Sequence, residues 1–325
     1  MNSGNSSKAY SRFFLFYCIL SLLVFLNLIF GPLVRATNSG LACPDWPLCH
    51  GKFIPHYTFQ IAMEVGHRYY SGVIGILFLF GFVWSIRNPI LRKEFLVFTT
   101  LSMLFLASQV ILGALTVTKL LDPTTVNLHF LNATLLLQIL VWICYKSKKL
   151  SQTTFANITT KASSQSKAST ENPSQFKLTV SFRGISYFFL FTLLLTAYQL
   201  FMGGRVSSNY AGLACPDFPT CNGEWFPKLF GTIRYQMEHR YVGYAVAVLI
   251  FLSTFFSKRF TVSKTSQRFW KLASLAILWQ IFLGACNVWF HIPKWITVVH
   301  SASGVLVLSL VFLSLLSSFE NSERA

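Results

Sequence analysis

Apolar residues along this chain are grouped into eight runs of about 20, each separated from the next by a polar segment. The hydrocarbon core of a bilayer is about 30 Å thick, so a helix needs about 20 residues to cross it. Helix is also the open-backbone form that satisfies its own hydrogen bonds in lipid. The pattern therefore predicts an all-α integral membrane protein with transmembrane helices at residues 13–34, 64–85, 95–117, 125–145, 184–205, 235–256, 269–290 and 296–317.

The same arrangement of residues occurs twice along the chain. The segment Gly-Leu-Ala-Cys43-Pro-Asp, the cysteine at position 49 and the motif His67-Arg-Tyr all recur 172 residues later. Gln109, Gly113 and His129 recur 171 residues later. Each copy holds an even number of spans, so both copies enter the membrane in the same orientation. We therefore predict two parallel four-helix bundles that are related by a pseudo-twofold axis near the membrane normal.

The duplication divides the chain into two halves. Residues 1–145 are predicted to form the N-terminal four-helix bundle, and residues 183–325 the C-terminal one. The intervening segment, 146–182, is rich in Ser, Thr, Lys, Gln and Asn and almost free of aromatic residues. Such a composition buries too little apolar surface to fold by itself. It is therefore predicted to be a disordered cytoplasmic linker.

The net charge of +17 is distributed unevenly about the predicted membrane. If the N-terminus is cytoplasmic and successive segments alternate sides, most of the Lys and Arg residues lie in the cytoplasm, as the positive-inside rule requires. Both termini are then cytoplasmic, and the cysteine-containing loops are outside. The basic charge is thus a topology signal, and no nucleic-acid partner is expected. We expect the protein to reside in a bacterial cell membrane, because no mitochondrial transit segment precedes the first span.

Four of the seven cysteines form two pairs, each with five intervening residues: Cys43 with Cys49, and Cys215 with Cys221. Both pairs fall in predicted outer loops, where an oxidising compartment permits disulfides. The spacing fits neither a CxxC redox motif nor a four-thiolate zinc site. Two interpretations stay open. Either both pairs are structural disulfides that hold the loops, or one pair, Cys43–Cys49, cycles between thiol and disulfide to pass electrons. Cys18, Cys144 and Cys286 are interpreted as packing residues within the spans.

Four of the seven histidines belong to the repeat and lie near the outer ends of predicted helices: His67, His129, His239 and His300. An ionisable residue inside a membrane is costly and is by default a functional candidate. Two histidines per half, on different helices at matched depth, fit the axial ligands of a haem iron within a four-helix bundle. Zinc would require three or four ligands. The other histidines, His50, His56 and His291, are predicted to lie in solvated loops.

The two halves differ beside these histidines. Glu64 lies three residues before His67 and therefore on the same helix face, whereas the matching residue in the second half is Gln236, which cannot ionise. This difference suggests that the first half performs chemistry and the second does not. The alternative is that Glu64 is an interfacial carboxylate paired with Arg68 or Arg35.

Basic residues accompany the first histidine of each half, since Arg68 follows His67 and Arg240 follows His239. One interpretation is that these side chains extend to the lipid headgroups. The other is that they pair with haem propionates through their guanidinium groups, a role that would also suit Arg35.

These residues resemble a known family. The stretch Leu-Val-Arg35-Ala-Thr-x-Ser-Gly-Leu-Ala-Cys43-Pro-Asp-Trp-Pro-x-Cys49-His-Gly, followed by Glu64-x-x-His67-Arg, is similar to the haem A synthases, membrane enzymes of cytochrome oxidase assembly. The resemblance covers the chain apart from the linker and the tails. The second half departs from the pattern, because Gly203-Gly204-Arg205 places its arginine out of register with Arg35.

The resemblance implies an activity and a role for each half. The enzyme would oxidise the C8 methyl group of the substrate haem O by successive hydroxylations to a hydrated aldehyde, which loses water to give the formyl group of haem A. The N-terminal half would bind haem O between His67 and His129, and the C-terminal half would bind the cofactor haem b between His239 and His300. Glu64 matches the catalytic carboxylate of the family. The pair Cys43 and Cys49 matches a disulfide that is suspected of a part in electron transfer.

Other functions remain as alternatives. The strongest is a membrane cytochrome with two haems, each bound by two histidines, that transfers electrons from quinol and has no need of Glu64. A thiol–disulfide oxidoreductase would leave the four intramembrane histidines unexplained, and a transporter would show helix breaks near the membrane midplane. Besides haem O and the bilayer, the expected partners are haem O synthase and an electron-transfer protein, and a homo-oligomer is left open.

Overall fold

The structure, a computed structural model, describes residues 3–163, 179–260 and 262–319. These residues form eight helices: α1 (Ser3–Ala36), α2 (Phe59–Arg87), α3 (Pro89–Thr118), α4 (Pro123–Ser163), α5 (Thr179–Ser208), α6 (Gly231–Arg259), α7 (Lys264–Trp289) and α8 (Lys294–Ser318). All eight are long and apolar enough to cross a membrane. The predicted all-α, multi-pass architecture is therefore confirmed.

Short polar residues mark several helix starts. Thr58 accepts a hydrogen bond from the backbone N–H of Ile61 at the start of α2. Asn88 caps α3 in the same way, directly before Pro89, whose missing N–H costs nothing in the first turn. Ser263 caps α7. The caps Asn88 and Ser263 allow α3 to follow α2, and α7 to follow α6, through short connections at the end of the molecule away from the cysteine-containing loops.

The helices of each half pack as a closed ring of four. In the first half, α1 and α3 each pack against both α2 and α4, and in the second half α5 and α7 each pack against both α6 and α8. The helices α2 and α4 therefore occupy opposite corners, as do α6 and α8. This packing is consistent with two four-helix bundles. The two halves meet chiefly through α1 and α4 on one side and α5 and α8 on the other.

Each half has its main apolar core away from the cysteine-containing loops. The first core includes Phe13, Phe78, Leu91, Phe95 and Ile143, and the second includes Phe189, Ile250, Trp270, Ile277 and Val311. These side chains are almost completely buried. One end of each half is thus close-packed around large apolar side chains, and the repeated histidines lie toward the other end, beneath the loops.

Residues at equivalent positions of the repeat contact each other where the two halves meet. Gln138 donates a hydrogen bond to Ser309 over 3.0 Å, and these residues are 171 positions apart, the offset of the repeat. Arg35 donates to the carbonyl oxygen of Ser207, 172 positions away. Equivalent positions can touch in this way only close to the axis that relates the copies. The contacts therefore support the predicted pseudo-twofold relationship.

One expectation about the chain between the halves is wrong. Residues 146–163, predicted to be disordered, continue α4 as a helix to Ser163. The N-terminal part of α1 packs beside this extension, where the hydroxyls of Ser7 and Ser151 each donate to the other residue's backbone carbonyl. A neighbouring helix therefore supports a segment too polar to be recognised as a span. The rest of the predicted linker up to residue 178 lies outside the described residues.

Candidate active site

The four repeated histidines lie on α2, α4, α6 and α8, the helices at opposite corners of each half. The rings of His239 and His300 face each other with centroids 6.5 Å apart and planes inclined at 79°. A metal ion lies about 2 Å from an imidazole nitrogen that binds it, so one ion fits between rings at this separation. His67 and His129 occupy the equivalent positions of the first half, and Phe30 packs edge-on against the ring of His67.

Each of these histidines packs against a glycine of the preceding helix. A β-carbon added to Gly113, Gly203 or Gly284 would lie 3.2, 3.1 or 3.2 Å from Cε1 of His129, His239 or His300, respectively, and one added to Gly31 would lie 3.9 Å from Cε1 of His67. Three of the rings therefore fill space that a side chain on the neighbouring helix would need. The glycines allow the imidazoles to lie against the helix backbone and so fix their positions.

One nitrogen of each of these four rings is buried and without a hydrogen-bond partner among the described residues. In all four rings this nitrogen is Nδ1. A buried polar atom without a partner is unfavourable, and a bond to iron would satisfy a nitrogen of each ring. The side-chain amides of Gln109 and Gln280 lie 3.2 and 3.3 Å from Nε2 of His129 and His300. Such outer contacts orient metal-binding imidazoles. The residues present therefore fit a haem bound by two histidines.

A disulfide closes the loop above each histidine pair. Cys43 is bonded to Cys49 and Cys215 to Cys221, and all four cysteines are buried. The two pairs that the sequence singled out are thus disulfides in the structure. Whether either of them cycles between thiol and disulfide stays a prediction. Cys18, Cys144 and Cys286 are free and lie within the helices, as expected for packing residues.

An aspartate organises the backbone inside each disulfide loop. The carboxylate of Asp45 accepts hydrogen bonds from the backbone N–H groups of Gly51 and His50 over 2.8 and 2.7 Å. These donors lower the pKa of Asp45, with the Gly51 contact the largest cause. The carboxylate of Asp217 accepts the equivalent two bonds and a further one from the hydroxyl of Thr220. The Thr220 hydroxyl is the main reason that the pKa of Asp217 falls to about 2.

Arginine side chains attach each loop to the helix beneath it. Arg68 on α2 donates to the carbonyl oxygens of Asp45 and Leu48 over 2.9 and 2.6 Å. Arg240 on α6 donates to the carbonyl of Thr220, the position equivalent to Leu48, and to that of Cys215. Both guanidinium groups thus point into the loops, an arrangement that does not favour their extension to the lipid headgroups. Their pairing with propionates stays a prediction.

Glu64 and Gln236 make different contacts at matched positions. The carboxylate of Glu64 accepts a hydrogen bond from the backbone N–H of Cys43 over 2.8 Å and forms a 2.6 Å ion pair with Arg68. Gln236 instead donates to the carbonyl of Gly212 over 3.3 Å, and its Oε1 is buried without a partner among the described residues. Glu64 therefore connects α2, the helix that also carries His67, to the disulfide loop. Of the two partners considered from the sequence, Arg68 and Arg35, the structure pairs Glu64 with Arg68.

Arg35 lies between the halves. Besides its bond to Ser207, its guanidinium carbon lies 4.8 Å from the ring centroid of Tyr210. Arg205 instead lies over the ring of Tyr235 on α6. The two arginines therefore have different surroundings, in agreement with their different registers in the sequence. His50, His56 and His291 are exposed in loops, as predicted.

Several residues around the histidines had no role assigned from the sequence. Gln109 and Gly113 were recognised only as landmarks of the repeat, although the structure places both against His129. Gln199 donates to the backbone carbonyl of His239 over 2.9 Å. These residues lie 16 to 40 positions along the sequence from the histidines that they contact. Hydropathy locates the helices but does not show which face of one helix is turned toward another, so the contacts could not be predicted. Recurrence at the offset of 171 was the available signal for Gln109 and Gly113.

A comparison with known families finds one match. The model of the COX15-CtaA family, described as cytochrome oxidase assembly protein, matches residues 14–312. The matched region includes all four repeated histidines, both disulfide loops and Glu64.

Curated relatives are similar over most of their length. Proteins named Heme A synthase are 27% identical to this chain in Shewanella oneidensis (87% of this chain, 89% of the relative) and 27% in Halalkalibacterium halodurans (93% and 94%). A protein of the same name from Symbiobacterium thermophilum is 29% identical over 80% of each chain. Both halves of the duplicated fold are therefore included in these similarities.

Proposed function

Since the chain belongs to the COX15-CtaA cytochrome oxidase assembly protein family, we propose that it is a haem A synthase. It oxidises the C8 methyl group of haem O to a formyl group, and the product is haem A for cytochrome oxidase. One observation carries the proposal beyond the family: two histidine pairs are matched in position, but only the first has a buried carboxylate beside it, at Glu64. Two sites that only carried electrons would not require that difference.

The halves then have different ligands. The substrate haem O is bound in the N-terminal half by His67 and His129, and the cofactor haem b in the C-terminal half by His239 and His300. The paired rings of His239 and His300 support the assignment in the C-terminal half, and the neighbouring glycines and unpartnered ring nitrogens support it in both halves. Which half takes which haem follows from the position of Glu64. When bound, haem b supplies one-electron redox chemistry.

Glu64 is the catalytic residue of the proposal. Successive hydroxylations convert the methyl group through an alcohol to a hydrated aldehyde, and loss of water leaves the formyl group. Oxidation at the carbon attached to the macrocycle develops positive charge there, and a fixed carboxylate stabilises that charge or orients the incoming water. The contacts with Arg68 and Cys43 hold Glu64 in one orientation. Pre-organisation of this kind avoids rearrangement during the reaction.

The basic residues at the same end would bind the propionates. Arg35, Arg68 and Arg240 lie close to the loops that cover the two sites, and guanidinium groups pair well with carboxylates. Arg68 and Arg240 already donate to loop carbonyls, so a propionate would share their remaining N–H groups. The disulfides Cys43–Cys49 and Cys215–Cys221 would hold the loops in a fixed position relative to these arginines.

The proposed setting is a bacterial cell membrane. The distribution of basic residues supports cytoplasmic termini and disulfide loops on the outer face. Haem O synthase is the proposed supplier of the substrate, and a separate redox partner would accept the electrons released by the oxidation. Self-association is compatible with this setting.

Extraction of the bound haems tests the proposal. The protein is purified from cells that make haem O, and its haems are identified by chromatography and mass spectrometry. We expect haem B together with haem O or haem A. The latter two should be lost in His67→Ala and His129→Ala, and haem B should be lost in His239→Ala and His300→Ala. Haem B alone in both halves, unchanged by the supply of haem O, would instead identify an electron-carrying cytochrome.

A further inference from the structure

Each disulfide loop ends in an exposed apolar tip just before the next helix. The first tip contains Phe53 and Ile54, which are 71% and 87% exposed, and the second contains Trp225 and Phe226, which are 56% and 85% exposed. The two pairs are 172 residues apart, so they are equivalent positions of the repeat. The cysteines of the same loops are buried. Each loop is thus buried at its disulfide and presents large apolar side chains at its other end.

A tyrosine ties each tip to the side of a helix. The hydroxyl of Tyr69 on α2 donates to the carbonyl oxygen of Phe53, and the hydroxyl of Tyr241 on α6 donates to that of Trp225 over 2.7 Å. Tyr69 is itself 49% exposed, so it lies on the outer surface of its bundle. The tips therefore fold back along the outside of α2 and α6, and their position is the same in both halves.

The depth of the tips follows from the position of the tyrosines. Tyr69 comes ten residues after Phe59, the first residue of α2, which is about 15 Å along a helix that rises 1.5 Å per residue. Side chains tilt toward the N-terminus of their helix, so the hydroxyl lies nearer to the helix start than its own α-carbon. The 29 residues of α2 cover about 44 Å, close to the thickness of a bilayer including its headgroups. The tip therefore lies near the boundary between headgroups and hydrocarbon.

The location of the tips around the molecule indicates what covers them. The halves pack together chiefly through α1, α4, α5 and α8, so α2 and α6 lie on separate flanks. A pseudo-twofold axis places the two tips on opposite sides of the protein. A bilayer surrounds both flanks at once, and aromatic side chains are favoured at its interface.

We propose that the two tips, Phe53–Ile54 and Trp225–Phe226, insert into the lipid leaflet on the side of the disulfide loops. They anchor the loops to phospholipid at the level of the headgroup–hydrocarbon boundary. Each loop is thereby fixed at three points: the disulfide, the arginine that holds its carbonyls and the tip in the lipid. The inference depends on the fold and not on the proposed haem chemistry.

Photocrosslinking in a defined bilayer tests this proposal. The photoreactive amino acid benzoylphenylalanine replaces Ile54 or Phe226 in the full chain, which is placed in nanodiscs of phosphatidylethanolamine and phosphatidylglycerol. The matched controls carry it at His50 or Asn222, exposed positions of the same loops near the disulfides. After irradiation, mass spectrometry should find several-fold more phospholipid adduct at positions 54 and 226 than at 50 and 222.

The tyrosine contact provides a second measurement. Tyr69→Phe removes the hydroxyl that holds the first tip, so it should lower the lipid adduct at position 54 and leave that at position 226 unchanged. Tyr241→Phe should have the reverse effect. Equal adduct at the tips and at the controls would overturn the proposal, because the tips would then be in water. Crosslinks from the tips to a second copy of the chain would overturn it as well.

Discussion

The carboxylate of Glu64 accepts a hydrogen bond from the backbone N–H of Cys43 over 2.8 Å. This bond joins the first cysteine of the disulfide loop to α2. On that helix Glu64 and His67 lie less than one turn apart. Arg68 closes the connection, because it pairs with Glu64 and also donates to loop carbonyls. The loop and the carboxylate therefore form one polar unit above the first histidine pair, and the second half lacks its acidic member.

The difference between Glu64 in the first half and Gln236 in the second predicts unequal effects when each residue is replaced by the other type. Glu64→Gln keeps the shape of the side chain and removes its charge, so haem should remain bound while conversion of haem O falls about 100-fold or more, the usual loss when an electrostatic catalytic contact is removed. Gln236→Glu should leave conversion close to that of the unchanged protein. The measurement is the ratio of haem A to haem O after extraction. An equal loss of conversion in both variants would contradict the assignment of Glu64 as the catalytic residue.

The Arg68–Glu64 pair should contribute strongly to stability. Its side chains are 13% and 6% exposed, and breaking a buried pair by removing one partner costs about 3–5 kcal/mol. Arg68→Met should therefore lower the thermal unfolding temperature and make the first disulfide loop sensitive to protease.

The chain offers a matched control in Arg234, which pairs with Glu238 over the same 2.6 Å distance but is 59% exposed. An exposed pair is worth about 0–1 kcal/mol, so Arg234→Met should hardly change the unfolding temperature. Similar shifts in the two variants would show that burial of the first pair does not determine its contribution.

The helices could be predicted from the sequence and the four histidines singled out in it, because both depend on features that repeat. Long apolar runs gave the spans, and the offsets of 171 and 172 picked out His67 and His239 from the other histidines. Hydropathy does not give the rotation of one helix against another, so the contact of Gln109 with His129 could not be foreseen. The helical extension of α4 was missed because its support comes from α1 near Ser7, which is distant in the sequence.

The glycines behind the histidines should differ in their tolerance of alanine. A β-carbon at Gly203 would lie 3.1 Å from Cε1 of His239, which is too close for an undisturbed ring, whereas one at the equivalent Gly31 would lie at an ordinary 3.9 Å from His67. Overpacking of this kind costs about 1–3 kcal/mol. Gly203→Ala should therefore reduce the content of haem B and change its absorption and electron paramagnetic resonance spectra, and Gly31→Ala should leave the haem content unchanged. A loss of haem with both variants would mean that the distance to the ring does not determine tolerance.

The two loop aspartates differ in one hydrogen-bonding side chain, the hydroxyl of Thr220. Thr220 donates its hydroxyl to Asp217 and is the main reason for a pKa of about 2, whereas Leu48 stands at the equivalent position beside Asp45 and has no hydroxyl to donate. An unperturbed aspartate has a pKa of about 3.9. The folded-state pKa of Asp217 is thus depressed. The contribution of ionised Asp217 to the stability of the folded state is therefore complete above about pH 4 and is lost as the pH falls through about 2.

Exchanging these neighbours should therefore exchange the titration behaviour. The chain has only three aspartates, Asp45, Asp122 and Asp217, so carboxyl-labelled aspartate gives three carbon resonances that can be followed against pH. Thr220→Val should raise the pKa of Asp217 toward that of Asp45, because only backbone donors then remain. Leu48→Thr should lower the pKa of Asp45, since the new hydroxyl can reach its carboxylate as Thr220 reaches Asp217. Titrations that are unchanged in both variants would show that the backbone N–H groups alone set the two pKa values.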